Sequence, residues 1–145
     1  MIDFPIKTLE GLLVWFIGLS LVINGIIFSL GLYRQGAPGL PPGYIIGSVW
    51  VFLIGCMAYA QWLILRSCDY NWVHWLIPGL FGYCILYPVY TAGFRNKKIS
   101  DISTVLAVIL SLSIAYILYS YNWLAAGLIA LTTLWTLYVS FITVL

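Results

Sequence analysis

"LPPGYIIGSVWVFLIGCMAYAQWL", residues 40–63, decides the fold class of this chain. No charged residue occurs between Gly43 and Leu65, and about 20 apolar residues suffice to cross a hydrocarbon core of about 30 Å, so the stretch reads as a membrane-spanning helix. Pro41 and Pro42 stand where that helix begins. Its first positions have no intrahelical acceptor for their amide groups, so proline starts a helix without loss there. Trp50 then lies about 10 Å along the helix from Gly43, deeper than a tryptophan of the interfacial belt sits. Either it packs against a neighbouring helix or it looks into a cavity.

The rest of the chain has the same character. Of 145 residues 63% are hydrophobic and 7% charged, against about 25% charged in an ordinary soluble domain, so a soluble surface is excluded. Five apolar runs, at 11–32, 44–65, 75–94, 102–121 and 123–145, predict an all-α integral membrane protein. They form a single domain over 1–145, a five-transmembrane-helix bundle. The charged residues (Asp3, Lys7, Glu10, Arg34, Arg66, Asp69, Arg95, Lys97, Lys98, Asp101) fall outside these runs or at their ends. A charge at mid-bilayer costs about 2.5–3.5 kcal/mol on insertion scales, which is why they are found there. Only "SYNW" separates the last two helices. Lys7 and Glu10 precede the first run with no small-residue cleavage site, so that helix is expected to be retained. Cys56 and Cys84 lie in predicted spans and Cys68 in a loop, a set of free thiols and not a disulfide framework.

The Arg34 loop and the Arg95-Lys97-Lys98 loop share a side with the C-terminus, against Lys7 and Arg66 on the other. The positive-inside rule therefore puts the C-terminus in the cytoplasm and the N-terminus opposite; which membrane is involved stays open. "FRNKK" reads as a topology determinant, and no nucleic-acid partner is expected.

Small residues recur as helix-packing stripes: Ser103, Ala107, Ser111 and Ala115; Gly11, Gly18 and Gly25; Gly43 and Gly47. Such faces serve contacts within one chain or between two, and their number leads us to expect a homodimer. Pro88 removes a backbone hydrogen bond in the third helix and predicts a kink near residues 86–88. Tyr83, Tyr87 and Tyr90 share a face there, and their phenols need interhelical partners, water or a ligand.

The spans hold no ionisable acid–base group, nucleophile–base pair or phosphate loop, which disfavours ordinary enzymatic chemistry. His74, beside Trp72 and Trp75, reads as an interfacial histidine. Cys68 and Asp69 are poor company for a metal, and neither metal nor required cofactor is expected. Polar residues inside the spans are few, chiefly Asn24, Gln61, Thr132, Thr133 and Thr136. Trp15, Trp62, Trp72, Trp75 and Trp123 fall near helix ends. Trp50 and Trp135 do not. The first heads the stripe Trp50, Ile54, Met57, Gln61 and the second centres Leu128, Leu131, Trp135, Tyr138, Ile142. Facing each other, these would wall an apolar slot; apart, they are ordinary packing faces.

The 40–63 stretch, with its Pro-Pro, spaced Trp and Met-Ala-Tyr patch, resembles the second helix of the TspO/MBR family (translocator protein, tryptophan-rich sensory protein). "AGLIALTTLWTLYVSFITVL" resembles that family's last helix, with Trp135 at its tryptophan, Tyr138 at its following aromatic and Val139 at its usual alanine. "YPVYTAGF" and the later Asp101 match its Pro-x-Phe-Phe-Gly stretch and aspartate more loosely. Tyr83 and Leu86 stand where asparagine and tryptophan are common, and Thr132 and Thr143 replace a tyrosine and an asparagine. The resemblance implies a five-helix receptor or transport-type protein for porphyrin (tetrapyrrole), with sterol or another lipid as a further possible ligand. Its roles would be in sensing, transport or light- and oxygen-dependent porphyrin breakdown. The expected ligand set is Trp50, Ile54, Met57, Gln61, Tyr83, Tyr87, Leu131, Trp135, Tyr138 and Val139, with Trp50 and Trp135 the candidates for any photochemistry. A rival reading is a structural subunit of a larger membrane complex that holds lipid or pigment.

Overall fold

The computed structural model describes residues 5–31 and 39–144, and all regular structure among them is helical. Five α-helices follow in order: α1 (Leu9–Ser29), α2 (Gly43–Ser67), α3 (Leu76–Ile85), α4 (Lys97–Tyr119) and α5 (Trp123–Thr143). Four of them, α1, α2, α4 and α5, are long and apolar enough to cross a membrane. The Arg34 loop lies outside the described residues.

Each helix start has a local cause. Thr8 accepts from the Gly11 N–H at 3.1 Å and begins α1. Pro42 is the N-cap of α2 and gives it no side-chain cap, so both prolines stand just before the helix and not at its first positions, where the sequence reading put them. Asn96 accepts from Lys98 and Ile99, so α4 begins at Lys97, five residues before the sequence reading placed it. Asp101 therefore sits inside α4, where Lys97 Nζ lies 2.6 Å from its carboxylate. Asn122 does the same for α5, accepting from Leu124 and Ala125, and this resolves the short "SYNW" junction.

The third segment departs from the expected single helix over 75–94. A 3₁₀ turn, Trp72–Trp75, leads into a ten-residue α3 that ends at Ile85, and a π turn, Val89–Gly93, follows. Proline explains the break: Pro88 has no N–H to give the Cys84 carbonyl. The backbone regains its bonding with a wider loop, in which the Phe94 N–H reaches the Val89 carbonyl five residues back at 3.3 Å. At the other end His74 is buried, only 1% exposed, and does not sit open at the interface as the sequence suggested. Its Nδ1 accepts from the Asn71 N–H at 3.1 Å while Asn71 Oδ1 accepts from the Val73 N–H at 2.8 Å, a capping box that closes the turn.

The core runs through the bundle from Leu12 and Phe16 of α1 through Met57, Ile64, Leu80 and Leu118 to Ile129. Phe16 and Phe81 stack at 4.6 Å with planes 9° apart, joining α1 to α3. The most extensive helix pair is α4 with α5. The stripe Ser103, Ala107, Ser111, Ala115 is buried, and Thr133 donates to the Ser111 hydroxyl at 3.0 Å, so this small-residue face is used within the chain. The glycines behave differently. No described atom outside the helix's own backbone lies within 4 Å of where a Cβ would stand at Gly18, Gly25, Gly43 or Gly47, so among the described residues these glycines make no close helix contact. Gly39 takes a left-handed φ of 89° and lies against Ile142, which brings the chain over the end of α5 into α2.

Candidate functional site: an apolar cavity among four helices

With Gly43 and Gly47 leaving α2 bare on one face, a cavity of about 890 Å³ opens between α1, α2, α5 and the end of α3. That is near the top of the usual range for small-molecule sites, about 300–1,000 Å³. Its inner wall is buried and mostly apolar: Ile27 of α1, Ile54 of α2, Cys84 and Ile85 of α3, Thr136 of α5. On the side of α1 and α2 it is open, and Leu21, Phe28, Tyr44 and Val51 are exposed along that rim. The helix ends fix its depth. Ser20 is nine residues from the end of α1 at Ser29, and Trp50 seven from the start of α2 at Gly43, so the cavity reaches about 10–14 Å into the bundle. It occupies the half where α1 and α5 end and α2 begins. The other half is tied shut, with Asn122 donating to the Ser67 hydroxyl at 2.8 Å.

Both deep tryptophans border this cavity. Trp50 also meets Tyr87, with ring centroids 6.4 Å apart and planes tilted by 41°. The Tyr87 hydroxyl is hydrogen-bonded to Thr104 of α4, which holds the phenol as a fixed back wall. Trp135 Nε1 is shielded and has no hydrogen-bond partner among the described residues. Such a buried donor costs about 1–3 kcal/mol until an acceptor reaches it.

Of the residues expected to form a ligand site, Trp50, Ile54, Tyr87, Trp135 and Val139 line the cavity together. The other five stand outside its lining. Met57 and Gln61 are fully buried below it, where Gln61 Nε2 donates to the His74 carbonyl at 2.9 Å. Tyr83 donates to the Ser103 carbonyl at 2.6 Å, and its ring meets Tyr90 at 5.3 Å, so the phenols of this face are spent largely on α4 and on one another. Leu131 and Tyr138 are exposed on the outside of α5. The face of α5 that borders the cavity is Trp135, Thr136, Val139 and Thr143, part of a turn away from the stripe drawn through Leu131 and Tyr138.

The sequence reading missed the contribution of α1 altogether. Ser20 and Asn24 line the cavity, as do Gly43, Gly47 and Pro88. One signal was available: Asn24 and Thr136 are polar groups inside spans, and polar groups at that depth require a partner or a water-filled space.

No match to this chain was found among curated proteins. The TspO/MBR family model matches residues 16–145, which takes in every residue that lines the cavity. With its helical architecture and its apolar spans, the chain belongs to the TspO/MBR family.

Proposed function

We propose that this protein is a five-span membrane receptor or carrier that takes a flat hydrophobic molecule, foremost a porphyrin and secondly a sterol, into the cavity among α1, α2, α3 and α5. The interrupted segment 72–93 serves as the fifth crossing, since at about 1.5 Å per residue its length approaches the hydrocarbon thickness of about 30 Å. Arg95, Lys97 and Lys98 mark the cavity's end of the bundle as the cytoplasmic one, with the N-terminus on the opposite side. Membrane lipid surrounds the apolar outer faces. The chain works as a homodimer without a required cofactor.

One observation carries the reading: Trp50 and Trp135, the two tryptophans that belong to no interfacial belt, border the same large apolar cavity. Indoles on the walls of such a space suit a conjugated ring system, and each aromatic contact is worth about 0.5–1.5 kcal/mol beyond burial. Losing both should weaken binding by about 5- to 150-fold. The test is titration of the protein in lipid nanodiscs with protoporphyrin IX dimethyl ester, read by quenching of tryptophan fluorescence and by the porphyrin's own absorbance. Equal porphyrin affinity in wild type and a folded Trp50→Ala/Trp135→Ala variant would overturn the reading.

A further inference from the structure

Of the four hydroxyls that border the cavity on α2 and α5, that of Tyr44 stands at the exposed rim and the other three are already engaged. Ser48 donates to the Tyr44 carbonyl, Thr136 to Thr132 and Thr143 to Val139, each one turn back on its own helix. The pair on α1 is different. Asn24 Nδ2 donates to Ser20 Oγ at 3.3 Å, while the Ser20 hydroxyl proton and Asn24 Oδ1 have no partner among the described residues. Ser20 is 3% exposed, so this unused capacity sits on the inner wall and not at the rim.

We propose that Ser20 and Asn24 form a polar subsite that hydrogen-bonds one neutral group of the ligand, a carbonyl or a hydroxyl, at the deep end of the cavity. The subsite rests on the reading that the cavity takes up a flat hydrophobic molecule, and it narrows the class. A carbonyl oxygen receives the Ser20 proton and the second N–H of Asn24; a hydroxyl gives its proton to Asn24 Oδ1 instead. No Lys, Arg, His, Asp or Glu is found among the described residues that border the cavity. A carboxylate carried to the level of Ser20, about 13 Å from the end of α1, would arrive without a counter-ion, which an apolar medium strongly disfavours. The cavity therefore selects an apolar plate with an uncharged polar end over a pure hydrocarbon and over a free acid.

Three porphyrins that differ only at the periphery test this in nanodiscs by tryptophan quenching: etioporphyrin, which carries alkyl groups alone, protoporphyrin IX dimethyl ester, and the free acid. The wild type should bind the ester about 2- to 10-fold more tightly than etioporphyrin, the preference one or two neutral hydrogen bonds support. The Ser20→Ala/Asn24→Leu variant should bind the two alike, with its etioporphyrin affinity within about twofold of wild type, which also shows that it is folded. Should that variant lose etioporphyrin, Ser20→Ala alone, which removes only the hydroxyl, carries the same comparison. A wild type indifferent to the ester, an ester preference that survives the substitutions, or tighter binding of the free acid than of the ester would overturn the subsite. Binding of none of the three porphyrins would overturn the cavity reading along with it.

Discussion

Gly47→Leu separates a cavity that takes up ligand from a merely loose helix contact. Gly47 lies one turn before Trp50 and two before Ile54 on the face of α2 that borders the cavity, and among the described residues no heavy atom outside its own helix backbone lies within 4 Å of its Cβ position. A leucine there meets no protein atom at its first carbon and occupies space meant for ligand. The backbone gains, because glycine inside a helix is about 0.8–1.0 kcal/mol less favourable than alanine and leucine is close to alanine. The ligand loses: crowding a fitted apolar site costs about 1–3 kcal/mol, or about 5- to 150-fold in affinity. Gly18→Leu is the matched control. It receives the same backbone gain, has the same open space around its Cβ, and sits in the shallow groove on the outer face of α1. Thermal unfolding of purified protein, with and without etioporphyrin, reads both effects. Without ligand the two variants should be as stable as wild type or more so. With ligand at 100 times the wild-type dissociation constant, wild type and Gly18→Leu should gain about 2.7 kcal/mol, whereas a variant weakened 100-fold gains about 0.4 kcal/mol. A Gly47→Leu protein that stays folded and gains the full ligand stabilisation would refute the argument, since α2 would then not border the bound molecule.

Two further outcomes follow from the opposite end of the bundle. Asn122→Ala should lower stability by about 1–2 kcal/mol through loss of the α5 cap and of the bond to Ser67, yet leave porphyrin affinity unchanged; Asn122→Asp should keep most of the cap. Cys68 tests orientation and chemistry together: burial, and secondarily the Asp69 carboxylate, holds its thiol above the ordinary range, so little thiolate is present at neutral pH. A membrane-impermeant maleimide should therefore modify Cys68 slowly at pH 7 and faster as pH rises, and only from the face opposite the cytoplasm. Rapid labelling at pH 7 would contradict the first expectation, and labelling from the cytoplasmic face would contradict the proposed orientation.

Helix positions were legible in the sequence because bilayer thickness imposes a length and charges mark the ends. Starts were less so: Asn96 draws α4 forward over Lys97 and Lys98, since two satisfied amides outweigh the preference for leaving charges out of a helix whose first turn still reaches the interface. The break at Pro88 was legible from one missing N–H, but the π turn after it was not, because a wider loop depends on where the freed carbonyls find partners. At the site, Trp50 and Trp135 stood out by depth. Met57 and Gln61 share Trp50's helical stripe but lie further along α2, where α3 and its leading turn close over them, and no periodicity says where along a helix a cavity stops. Tyr138 was misplaced for a related reason: Trp135 meets its ring at 5.5 Å, yet the indole sits between two faces of α5 and only the other face turns inward.

The division of small and polar residues between the two halves of the bundle bears on why such a cavity persists. In lipid there is no hydrophobic drive to close a gap between helices, because acyl chains are as apolar as the side chains that would fill it. A bundle is held where helices can approach closely and exchange hydrogen bonds, and α4 and α5 do both through Ser103, Ala107, Ser111, Ala115 and the Thr133–Ser111 bond. Among the described residues no helix lies against the small residues Gly43 and Gly47 of α2, so here they widen the space instead of tightening it. Trp50 and Trp135 then border a gap that nothing in the surrounding lipid compels to collapse. The tight α4–α5 pair carries Thr136 and Val139 on its cavity side and, through Thr104, anchors the Tyr87 wall. Stability and the cavity thus draw on different helix pairs, and the side open at α1 lies away from the contact that holds the fold.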